Sequence, residues 1–232
     1  LQPHELVAAL RRGKIDAVSA EAAWKSLPDF TSGENAICMA DVSGSMGSSI
    51  GNGIEAMDVS IALSAYFAQR NTGAFKGLTL TFTDSPKFVN VGNTLKDAVS
   101  FFDSGVYGLS TNLQAAFDAL LEMAVKNEVP QKDMPTKLYI ISDLEFNFVD
   151  SFGSDLMKRI HNSKHELTNL QAIKKKYKAA GYKMPVIVFW LVDRKSTQFP
   201  ASASDENVVL IGGLASNTFE LVAKAIPTDP VT

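Results

Sequence analysis

Three short stretches constrain the fold of this 232-residue chain more than anything else in it. Residues 37–40, 138–141 and 186–192 are unbroken apolar runs, without the alternation of a strand that keeps one face wet. Runs of this kind mark strands buried on both faces, and such strands belong to parallel sheets covered by helices on each side. The segments between them carry apolar residues at helical spacing. They are residues 54–69, residues 95–102, and the set Leu113, Phe117, Leu120, Leu121 and Ala124. Residues 167–180 predict a long polar helix stopped by Gly181, and residues 208–211 and 217–225 predict a last strand and helix. Residues 78–83 and 87–91 alternate at period two around the turn Asp84-Ser85-Pro86, so a hairpin adds one antiparallel edge strand. The expected architecture is a Rossmann-like, doubly wound α/β fold, with a mainly parallel six-stranded sheet and helices on both faces. Residues 43–53, with four glycines, read as a polar loop.

The apolar fraction of 46% supplies a sizeable core, and charged residues at 20% exclude disorder by composition. Residues 1–35 read as a helical extension and linker, the tail of an upstream region, and residues 36–232 as the main domain. A net charge of −3 gives no overall argument for nucleic acid or membrane, and no stretch approaches the roughly 20 apolar residues of a membrane span. Cys38 is the single cysteine and lies in an apolar run, so it reads as a small buried hydrophobe in a protein of a reducing, cytoplasmic compartment. The chain starts at Leu1 without a signal peptide and is expected to be one part of a larger intracellular protein.

In open parallel sheets, ligands bind beyond the carboxyl ends of the strands. The residues that follow the buried runs are therefore the place to look for chemistry. The first run continues into Asp41-Val42-Ser43-Gly44-Ser45-Met46, the second into Ser142-Asp143-Leu144-Glu145, and the third into Asp193. Ser43 and Ser45 follow Asp41 at intervals that let one tight loop turn three oxygen-bearing side chains to a common point, with Gly44 easing the bend. Oxygen donors suit a hard cation: Mg²⁺, or alternatively Mn²⁺ or Ca²⁺. The competing reading of Asp41, Ser43 and Ser45 is a hydrogen-bonded turn that caps the next helix. No Walker-type phosphate loop and no Gly-x-Ser-x-Gly elbow is present, and His4, His161 and His165 fall outside the strand-end positions.

The segment Asp41-Val42-Ser43-Gly44-Ser45 resembles the metal-ion-dependent adhesion site of von Willebrand factor type A domains. In that family a D-x-S-x-S loop follows the first strand, a threonine comes from a later loop, and an aspartate follows the fourth strand. Thr111, in Gly108-Leu109-Ser110-Thr111-Asn112, and Asp143 fill the later positions in order, and the resemblance covers roughly residues 36–226. It implies that Ser43 and Ser45 ligate the ion directly, and that Asp41, Asp143 and Thr111 do so directly or through water. Gly44, Asn112 and Glu145 would tune the site. Many family members have glycine after the last aspartate. Leu144-Glu145-Phe146 stands here instead, so that Glu145 either adds negative charge near the ion or fills its open position. The opening helix through Trp24 and the stretch 142–146 look most like an uncharacterised family known only as a domain of unknown function. The Asp-Val-Ser-Gly-Ser-Met form also resembles the A domain of the Ro ribonucleoprotein autoantigen.

The resemblance implies a non-enzymatic module that captures an acidic group, Asp or Glu, from a protein or ribonucleoprotein partner. A second reading starts from residues 158–183, where eight Lys and Arg side chains face a single acid, Glu166. Lys174, Lys175, Lys176 and Lys178 would then contact nucleic-acid phosphates, against the simpler reading of a solvated helix face. A metal-dependent hydrolase ranks last, since one ion with mostly neutral ligands and no evident general base is a poor hydrolytic site.

Overall fold

The computed structural model describes residues 2–31, 33, 35–83, 85–105, 113–142, 166–192 and 208–212. In chain order the strands are β1 (Ala36–Ala40), β2 (Ser49–Gly51), β3 (Ile54–Glu55), β4 (Leu78–Thr81), β5 (Phe88–Asn90), β6 (Lys137–Ser142), β7 (Val186–Leu191) and β8 (Val208–Gly212). The helices are α1 (Pro3–Arg11), α2 (Ala17–Lys25), α3 (Ala56–Arg70), α4 (Leu95–Asp103), α5 (Leu113–Lys126) and α6 (Glu166–Ala179).

Six strands form one sheet in the order β5-β4-β1-β6-β7-β8. All neighbours are parallel except β5, which runs antiparallel to β4 at the edge. This is the expected doubly wound α/β fold. The chain builds outward from β1 through β4 to β5, then returns to lay β6 on the other side of β1. β1 therefore stands where strand order reverses, and the carboxyl edge beside it is the place where such sheets hold ligands.

Alternate residues of each strand feed two cores. Ala36, Cys38 and Ala40 of β1, with Tyr139, Ile141, Val188 and Trp190, pack under α1, α2, α3 and α4. Ile37 and Met39, with Leu80, Leu138, Ile140 and Ile187, pack under α5 and α6 through Phe117, Leu120, Ile173 and Tyr177. The small side chains on the first face of β1 let α3 lie close over it, and Ala62 and Ala65 on that helix are buried too. Cys38 has the expected role of a buried apolar side chain. Burial drives its thiol pKa far above the ordinary value, against the opposing effect of Ser64.

The two N-terminal helices share the first core. Leu6, Val7, Ala20 and Trp24 are buried in it, and the Trp24 indole donates to Gln69 Oε1 at 2.7 Å. The segment read as a linker is tied down as well. The Tyr66 hydroxyl donates to Pro28 O at 2.7 Å and accepts from Phe30 N at 2.8 Å.

The stretch 43–53 differs from the expected plain loop. A 3-10 turn spans Gly44–Gly47, and β2 and β3 then form an antiparallel hairpin. The hairpin turns through Asn52 and Gly53, with φ of 54° and 71°. Two successive left-handed residues match the strand twist that a two-residue hairpin needs, and Asn-Gly is the pair best suited to it. The segment 217–225, read as a terminal helix, lies outside the described residues.

Candidate metal centre

Asp41 is the first residue past β1, and its main-chain N–H donates to Ile141 O at 3.0 Å, extending the β1–β6 ladder by one step. Its side chain is held at both oxygens. Oδ1 accepts from Ser43 N at 2.9 Å, closing a tight Asx turn. Oδ2 accepts from the Ser142 hydroxyl at 2.6 Å. The turn caps no α-helix. The first turn of α3 is closed by its own capping box, in which Asp58 Oδ2 accepts from Glu55 N at 2.8 Å.

The loop beyond Asp41 is braced from below. Met46 N donates to Ser43 O at 3.1 Å and Ser48 N to Ser45 O at 3.0 Å. The Met46 side chain is fully buried in the core under α3. Gly44 keeps a φ outside the left-handed region, and a Cβ there would meet nothing within 4 Å. The bend thus comes from the 3-10 turn and the Met46 anchor, where the sequence pointed to glycine freedom.

The turn brings the Ser43 and Ser45 hydroxyl oxygens to 3.1 Å from one another, both half-buried, on the carboxyl edge of the central strand. Adjacent oxygen ligands of an octahedral ion bound at about 2.1 Å lie about 3.0 Å apart. The two hydroxyls are hydrogen-bonded to one another in the same tight turn as the Asp41 carboxylate; these oxygen donors are of the kind that suits a hard cation, and Asp41, Ser43 and Ser45 bring no nitrogen or sulfur that would favour zinc. Among the described residues no group of three or more His, Cys, Asp or Glu is placed to hold a metal ion. Thr111, Asn112, Asp143 and Glu145 lie outside the described residues, as do Asp193, His161 and His165.

Two residues here lie in the strand-end segments named from the sequence but were given no role there. Ser142 pairs with a residue 101 positions earlier, and nothing local announces the contact. Met46 had a visible signal, an apolar side chain inside a polar stretch.

On the opposite layer, Lys174, Lys175 and Lys178 of α6 are exposed. Lys176 donates to Asp118 Oδ1 of α5 at 2.8 Å. The two tyrosines of this segment serve packing. Tyr177 is buried with its hydroxyl on Phe117 O at 2.9 Å, and burial, with Asp118, pushes its pKa upward. The Tyr182 hydroxyl donates to Val129 O at 2.9 Å. No helix among the described residues is long and apolar enough to cross a membrane.

Comparison with known proteins bears on the chain as a whole. The chain is similar to the uncharacterized protein L728 of Acanthamoeba polyphaga mimivirus, at 26% identity over 238 residues. The match takes in 100% of this chain but 38% of that protein's length. Among solved structures, the Ro (RSR) protein of Deinococcus radiodurans superposes with a TM-score of 0.54 at 16% identity. That match covers 90% of this chain and 37% of the Ro chain. At this identity the likeness speaks for the fold, and it supports the von Willebrand factor A-like arrangement. A family model matches residues 35–225, nearly all of the sheet and its helices, and the chain therefore belongs to the family described as Domain of unknown function (DUF7788).

Proposed function

We propose that this chain is a divalent-metal-dependent binding module. It would hold Mg²⁺, or alternatively Mn²⁺ or Ca²⁺, at the carboxyl edge of β1 and use the ion to capture an Asp or Glu side chain of a protein or ribonucleoprotein partner. The observation that carries this reading is the 3.1 Å Ser43–Ser45 hydroxyl pair beside the doubly anchored Asp41. By the adhesion-site pattern that the sequence resembles, Thr111 and Asp143 would complete the donor set, and Glu145 and Asn112 would modulate it. A bound ion would supply Lewis acidity toward an incoming carboxylate. The chain's own residues orient the donors and keep one side of the site dry through Met46. Neutral hydroxyl ligands leave the ion its positive charge, the property that an acidic partner would recognise. The module is read as a binder, with no catalytic residue assigned, and as cytoplasmic.

Titration calorimetry with Mg²⁺ and Mn²⁺ tests this on the wild type and on Asp41→Ala. Saturable binding that disappears in the variant is the expected result. A wild type that takes up neither ion would sink the reading.

A second reading has one observation in its favour, the exposure of Lys174, Lys175 and Lys178 along one helix. These side chains would contact RNA phosphates, with Lys176 joining after release from Asp118. Tyr177 and Tyr182 pack into the fold, so among the described residues this segment offers no exposed tyrosine for base stacking, and phosphate contact would dominate. RNA affinity that falls steeply with salt, and is lost on reversing Lys174, Lys175 and Lys178 to Glu, would establish it. Salt-independent binding, or none, would remove it.

A further inference from the structure

We propose that Ser142 is a positioning residue of the metal centre, holding the Asp41 carboxylate in the one orientation that serves a cation. The inference rests on the metal-binding reading above. It assigns a role to a residue outside the D-x-S-x-S, threonine and aspartate positions.

The two side chains meet at 2.6 Å, with Ser142 4% and Asp41 5% exposed. A hydroxyl donating to an ionised carboxylate at this separation makes a charge-assisted bond, and its strength rises where water is excluded. A carboxylate has a broad, nearly free terminal torsion. The Ser43 N–H on Oδ1 is a single anchor, about which the group still swings. The Ser142 hydroxyl on Oδ2 adds the second point and stops the rotation. Each carboxylate oxygen has about two acceptor directions, so one on each oxygen remains for the ion or for a water bound to it. Outer partners that orient ligands in this way typically carry a ten- to hundredfold share of metal affinity.

Ser142 also ends β6, and Asp143 is the next residue in the chain. The same bond therefore fastens the residue that follows β1 to the last residue of β6.

The test compares Ser142→Thr with Ser142→Val in the full chain. These side chains have the same shape and differ only in the hydroxyl. Mn²⁺ affinity is read by calorimetry, and urea unfolding of the metal-free proteins checks that all are folded. Ser142→Thr is expected to bind Mn²⁺ within about threefold of wild type, and Ser142→Val to bind at least tenfold more weakly. Equal affinity of the two variants overturns the proposal, because the hydroxyl would then contribute nothing beyond packing. Wild-type binding that is abolished by Asp41→Ala but unchanged in Ser142→Val removes the role of Ser142 and leaves the metal centre standing. A wild type that binds no Mn²⁺ removes both.

Discussion

Arg11 brings its guanidinium to 2.6 Å from Oδ1 of Asp58, a carboxylate with no solvent exposure. Arg12 reaches the other oxygen at 2.9 Å, and the two arginines also engage Glu55 at 3.1 and 3.0 Å. Asp103 closes the group at 3.1 Å from Arg11 Nε. Burial works against the Arg11 charge, but its hydrogen bond to Asp58 and the attraction of Asp103 outweigh that and raise its pKa. A buried carboxylate stripped of its partners is strongly destabilising, by about 3–5 kcal/mol. The double variant Arg11→Ala, Arg12→Ala should lose about this much in urea unfolding. The family match begins at residue 35, beyond α1. A chain cut to residues 35–232 should therefore unfold at markedly lower urea, having lost both arginines along with Leu6, Val7 and Trp24. Unchanged midpoints in both proteins would show that Asp58 does not depend on them.

His4 lies half-buried at the start of α1, and burial lowers its pKa below the ordinary 6.5, with Glu5 and Asp58 pulling the other way. Because the folded pKa is the lower one, the unfolded chain takes up the proton first. The contribution of His4 is fully present above pH 6.5 and is lost as the pH falls through 6.5 toward the folded value. Urea midpoints measured from pH 7.5 down to 5.5 should fall more steeply for wild type than for His4→Gln. Parallel profiles would mean that the imidazole is as well solvated folded as unfolded.

Asn71 treats the first residue of β1 as a neighbouring strand would. Its Oδ1 accepts from Ala36 N at 3.0 Å and its Nδ2 donates to Ala36 O at 2.7 Å, all within the buried interior. Asn71→Ala would leave two buried main-chain groups without these partners. The expected loss is about 2–4 kcal/mol, at about 1–3 kcal/mol for each buried group left unsatisfied. Thermal unfolding reads it, and a loss under about 0.5 kcal/mol would show that another group or water takes over.

A cation bound only by the folded protein must stabilise it. At a Mg²⁺ concentration 100 times the Kd, stability should rise by about 2.7 kcal/mol in wild type and not at all in Asp41→Ala. A Mg²⁺ effect of equal size in both proteins would mark it as a nonspecific salt effect.

Local pattern determined a large share of this structure. The apolar runs over 37–40, 138–141 and 186–192 became central parallel strands, because burial on both faces imposes that composition wherever it occurs. The hairpin of β4 and β5 and the helices α3 to α6 were legible for the same reason: period two and period 3.6 are properties of neighbouring residues. The D-x-S-x-S spacing is equally local, so Asp41, Ser43 and Ser45 are recognisable from the order of residues alone. The hairpin through Asn52-Gly53 was written in the sequence too, but its glycines were read as loop.

Tertiary structure alone decided the contacts between residues far apart in the chain. Ser142 meets Asp41 across 101 positions and Arg11 meets Asp58 across 47. The position of β1 between β4 and β6 depends on crossovers, and no single segment encodes them. The physical reason is the same in each case. Periodicity tells a segment which face to bury, but hydrogen bonds and ion pairs between distant residues acquire partners only after the sheet order has brought strand ends together. Asp41, Ser43 and Ser45 were readable from the chain as a cluster of oxygen-bearing side chains, whereas the Ser142 hydroxyl met the Asp41 carboxylate only once β6 lay beside β1.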